Sequence, residues 1–163
     1  MTVGRHERGE RGAAAVEFAL VVPLLVALVL GIIDYGLYFT DSLNLRQGIR
    51  EGARRGVVED FGKPPCVSSD MACLANLVSD SIGATGGTTF VRVDASAGWT
   101  EGADLLVCGA VAQSGLTGFT PMPSGGLITG HVRMRIEEDD DPTASSRTSA
   151  ETGTPPGGWD WCS

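Results

Sequence analysis

Glu17 is the only ionisable residue between Ala13 and Ile33, and it stands five positions after Gly12. A carboxylate at the lip of an apolar helix costs roughly 2 kcal/mol or more if unpaired, so it asks for a partner. Gly12 has no Cβ, which lets an enzyme working at a membrane face approach the backbone closely. The residues before it, with Arg5, Arg8 and Arg11 against Glu7 and Glu10, are short, polar and without apolar periodicity. Such a leader would hold the Gly12–Ala13 bond near the cytoplasmic surface. Cleavage there frees the amine of Ala13, a cation at the depth of Glu17. The pair can form within one subunit or between staggered neighbours.

Other chemistry-bearing residues are sparser. Cys66, Cys73, Cys108 and Cys162 all follow the apolar run. An even count in an exported region favours disulfides and places that region outside the cytoplasm. Of the three possible pairings, Cys66 with Cys73 across a short loop and Cys108 with Cys162 tying down the C-terminus are preferred. His131 is the sole histidine after the apolar run, and no nucleophile-elbow motif accompanies it, so a Ser-His-Asp hydrolase is not expected. Gly83 to Gly87 lacks the Lys-Ser or Lys-Thr of a phosphate loop. The run Glu137 to Asp141 lacks the glycine turn and spaced ligands of a cation loop. No enzyme activity, cofactor or metal is expected.

Around these residues the elements follow from pattern. At 163 residues the chain accommodates one domain plus an appendage. Its formal net charge of -8 opposes phosphate-backbone binding, which makes nucleic acid an unsuitable main partner. From Ala13 to Ile33 the apolar stretch covers roughly 32 Å as a helix, about the thickness of a bilayer's hydrocarbon core. A secretory signal would place small residues after the apolar run; here they precede it. Arginines flank the run on both sides, so the cysteines decide the orientation, with the N-terminus inside. Asp34, Tyr35 and Tyr38 mark the far interface and are assigned no chemistry.

From Asp34 to about Gly56 no proline intervenes, and Leu45, Ile49 and Ala53 recur every four residues, so the helix continues as a stem. Gly48, Gly52 and Gly56 share that interval and predict an element packed closely on their ridge. A helix is expected over Asp70 to Ile82, with Met71, Leu74, Leu77 and Val78 on one side. Strands are expected over Thr88 to Val93, Asp104 to Ala112 and Leu127 to Ile136. In the last, Val132, Met134 and Ile136 alternate with His131, Arg133 and Arg135, and the apolar face is expected on the stem. Beyond Glu137 the composition predicts a flexible acidic tail. Trp159, Trp161 and Cys162 at its end suggest a terminus that docks back on the head.

The run RGAAAVEFALVVPLLVALVLGIIDYG from Arg11, with the later REGAR, resembles the TadE-like pilins or pseudopilins of the tight-adherence (Flp, type IVc) pilus system. The resemblance covers Arg11 to about Ala53. It implies processing after Gly12 by an aspartyl prepilin peptidase, with Glu17, followed by Phe18, assisting subunit recruitment and registration. Pro23 falls where such helices commonly carry a proline, able to free a carbonyl and kink the rod. Implied partners are the peptidase, other Tad/Flp pilus subunits, the inner-membrane assembly platform and membrane lipid.

The expected fold is α+β: a leader over 1–12, a transmembrane helix over 13–38, a stem and pilin-like head with a three-stranded antiparallel sheet over 39–136, and a tail over 137–163. The expected location is the cell membrane, single-pass, with a cytoplasmic N-terminus, an extracytoplasmic head and incorporation in a surface pilus as one fate. The cysteine-bounded insertion at 66–73 and the acidic tail match no family feature. A competing reading is an uncleaved, membrane-anchored surface protein whose head binds a ligand.

Overall fold

A computed structural model describes residues 7–58, 60, 71–118, 120–137 and 148–163, with side chains from Gly12 onward. Helix α1 runs unbroken over Glu7–Val57, about 77 Å at the helical rise. The expected continuation of the apolar helix into a stem is therefore observed. It also starts earlier than the polar leader suggested, since Glu7 to Arg11 are already helical. The apolar turns beyond them propagate a helix that those residues would not nucleate alone.

Helix α2 spans Met71–Ile82. Four strands follow: β1 Gly87–Asp94, β2 Asp104–Gln113, β3 Leu127–Arg135 and β4 Ser149–Glu151. They form one antiparallel sheet in the order β3-β2-β1-β4. The expectation of three strands is corrected to four, because Ser149 to Glu151 pair with Asp94 to Arg92 at the free edge of β1. That edge offers unpaired backbone donors and acceptors, which a short segment satisfies without any apolar pattern of its own. Over residues 148–163 the expected flexible tail is corrected too: they lie on the head, and Cys108 is bonded to Cys162. The Cys66–Cys73 pairing and most of the acidic run fall outside the described residues.

The core sits where α1 and α2 cross one face of the sheet. Leu45, Ile49, Ala53 and Val57 of α1 meet Leu74, Val78 and Ile82 of α2 and Val91, Val93, Leu105, Val107 and Val111 of the sheet. Val132 and Met134 pack half-buried against the same cluster while His131, Arg133 and Arg135 are exposed, as the alternation of β3 required.

Two sets of glycines set the distances. A Cβ on Gly48 would lie 2.6 Å from the backbone of Ile82, and one on Gly52 would lie 2.3 Å from Val78. The ridge is the seat of α2. Gly109 and Gly130, paired across β2 and β3, leave room for Leu45 and Ile49, so the stem rests almost on the sheet backbone. Cys108 and Ala110 point to the opposite face and are nevertheless buried. The C-terminal segment covers that face, with Gly153 against Phe90 and Cys162 against Cys108.

Candidate assembly interface

The molecule divides at Asp34 into a bare rod and a packed head. In the rod, Gly12 has nothing within 4 Å of its would-be Cβ, and Ala13, Glu17, Phe18 and Pro23 are exposed. Phe18 has 69% of its surface open, and the most apolar window of the helix contains no buried residue. Exposure of so many large apolar side chains is sustainable only where another apolar phase or partner covers them. This one helix has the length and composition to cross a membrane. Helix α1 passes through Pro23 without interruption.

The proposed processing and assembly residues thus lie together along one free helix end. Among the described residues, no hydrogen bond or ion pair engages Glu17, and nothing lies within 4 Å of a Cβ built on Gly12.

Where the rod meets the head, two carboxylates take control. Asp34 and Asp41 are both fully buried. Asp34 Oδ1 accepts the Leu116 N–H at 2.9 Å, and its Oδ2 accepts the hydroxyls of Thr117 and of Thr120, the latter at 2.7 Å. Asp41 Oδ1 accepts the N–H and hydroxyl of Thr85 at 2.8 and 2.9 Å, and its Oδ2 accepts the Gly86 N–H at 3.1 Å. Tyr35 adds a hydrogen bond to the Pro121 carbonyl at 2.9 Å. Burying a carboxylate is unfavourable unless it is richly hydrogen-bonded, and bonds to a charged acceptor are the strong ones. The aspartates therefore bind the β2–β3 loop and the α2–β1 loop to the stem.

Sequence reasoning assigned Asp34 no chemistry and passed over Asp41. A signal was present. Asp34, Tyr38, Asp41, Leu45 and Ile49 follow the three- and four-residue spacing of one helical stripe, so the aspartates occupy core positions of the stem. The glycine-rich loop dismissed as a phosphate cradle does receive an anion, the Asp41 carboxylate.

Between the stem and β3, a shallow groove is lined by Arg46, Arg50, His131 and Trp161. Next to it Glu51 is clasped by Arg54 and Arg55 at 3.0 and 2.8 Å. Trp161 stacks at a tilt on Trp159, ring centres 5.4 Å apart, and Trp159 Nε1 donates to Glu151 at 3.1 Å. The expected return of the terminus to the head is realised through these rings and the disulfide.

No curated protein and no solved structure matches the chain. Over the rod and most of the stem, from the small residues beside Glu17 to the glycine ridge under α2, residues 12–54 match the family model of TadE-like protein.

Proposed function

We propose that this chain is a TadE-like minor pilin or pseudopilin that takes part in assembling a tight-adherence (Flp, type IVc) pilus. The observation that carries the reading is the coincidence, within residues 12–54, of the family match with a rod that exposes Glu17 and Phe18 and a stem that carries the head. Prepilin peptidase cuts after Gly12, and the Ala13 amine and Glu17 then form the charge pair that registers one subunit against the next. The helix is held in the inner membrane beforehand, with the head on the extracytoplasmic side. No catalysis is assigned to the chain. A membrane-bound pseudopilin that primes assembly is preferred to a minor pilin inside the filament, since a major subunit of this system would be much smaller.

Because Gly12 lies inside α1, the peptidase must unwind the first turns to reach the bond. Glycine assists, being less favourable than alanine in a helix by up to ~1 kcal/mol. Intact-mass analysis and N-terminal sequencing of the membrane-extracted protein test the proposal: the expected mature chain begins at Ala13. An intact Met1 or Thr2 in cells that possess the peptidase sinks it in favour of an uncleaved surface anchor. Glu17→Ala should be processed normally yet impair piliation, and equal piliation removes the pairing role.

A further inference from the structure

The loop between β2 and β3 returns to α1 at the level where the apolar run ends. Leu116, Thr117 and Thr120 hold Asp34, and Tyr35 holds the Pro121 carbonyl. A Cβ on Gly31 would lie 3.7 Å from the Thr120 methyl, so the loop reaches one turn back along the apolar run. At this height Leu116 leaves 74% of its surface open, and the neighbouring helix residues Ile32 and Ile33 are also exposed.

We infer that this loop is a membrane-seated collar: Leu116 inserts among the lipids at the extracytoplasmic interface while Asp34, fully supplied with donors, locks the loop to the helix. The inference rests on the reading that Ala13 to Ile33 span the bilayer. Lipid is the occupant because Leu116 is level with the end of that run, where acyl chains and glycerol backbones surround the helix. A loop can sit at this depth only if its polar groups are satisfied by protein or lie at the wet interface. The Thr117 and Thr120 hydroxyls and the Leu116 N–H meet that condition through Asp34. Such seating fixes the height and tilt of the head above the membrane, which a single helix cannot do, since its rotation and tilt are set by interfacial anchors and neighbours.

Brominated lipids quench tryptophan on contact and provide the test. The full chain carrying Leu116→Trp is reconstituted in phosphatidylcholine vesicles with bromine high on the acyl chains. Parallel samples carry Ile33→Trp or Leu43→Trp, and the parent protein supplies the background of the native tryptophans. Leu43 is exposed on the stem about 15 Å past Ile33. Residues 33 and 116 should be quenched at least twofold and residue 43 should not. Quenching at 33 without quenching at 116 overturns the collar, leaving the loop to solvent or a partner subunit. No quenching at 33 overturns the membrane-spanning reading itself and the collar with it.

Discussion

Asp34 and Asp41 lie two helical turns apart on one face of α1, and each carboxylate gathers donors from a different loop of the head. Each accepts two neighbouring backbone N–H groups, those of Leu116 and Thr117 at Asp34 and those of Thr85 and Gly86 at Asp41, and threonine hydroxyls complete both sets.

Those N–H groups predict the response to amide substitution. A hydroxyl can turn and accept from an asparagine NH₂, but a backbone N–H cannot. Asp34→Asn and Asp41→Asn should therefore each cost about 1–3 kcal/mol of head stability. Urea unfolding of the detergent-solubilised proteins measures both. No loss in either variant would show that its loop is not held by these bonds.

Gly52→Ala should destabilise despite raising helix propensity. The gain is at most ~1 kcal/mol, while the clash with Val78 at 2.3 Å has an overpacking cost of about 1–3 kcal/mol. Adding Val78→Ala should recover most of the loss. Gly48→Ala should not be recovered by Ile82→Ala, because the obstacle there is the Ile82 backbone. Thermal melts of the four variants separate a side-chain obstacle from a backbone one.

The Cys108–Cys162 bond closes a separation of 54 residues. Replacing both cysteines by alanine should lower stability by about 2–4 kcal/mol. Hydrogen exchange should accelerate in β4 and around Trp159 before it does in β2, since the bond anchors the segment that covers the outer face. Unchanged protection of β4 would mean that the strand pairing alone retains the terminus.

Asp94 gives the head a pH dependence. Burial works to raise its pKa, but hydrogen bonds from Arg92 and from the Ser96 N–H outweigh that and hold the carboxyl below its ordinary value. With the folded-state pKa depressed, the unfolded chain takes up the proton first. The contribution is complete above the ordinary carboxylate value and disappears as pH falls toward the depressed one. Arg92→Gln should raise the Asp94 titration midpoint in an NMR titration and flatten the acid limb of the stability profile. An unmoved midpoint would assign the shift elsewhere.

The stem was readable because its information is local. Leu45, Ile49 and Ala53 recur at helical spacing, the glycines at 48 and 52 repeat in the same register, and the alternation in β3 names its inner face. Gly12, Ala13, Glu17, Phe18 and Pro23 form one short motif on one helix, so the roles proposed for them also rest on local pattern. The β4 strand was not: Ser149 to Glu151 carry no period, and their conformation is decided by the edge they find on β1.

The sequence by itself determined an apolar rod with one carboxylate, a glycine-ridged stem, an alternating strand and cysteines placed to cross-link. Tertiary structure alone decided what Asp34 and Asp41 do. Their donors come from 44 to 86 residues further along the chain. A buried carboxylate acquires its role from whichever dipoles folding brings to it, and no local pattern specifies those dipoles.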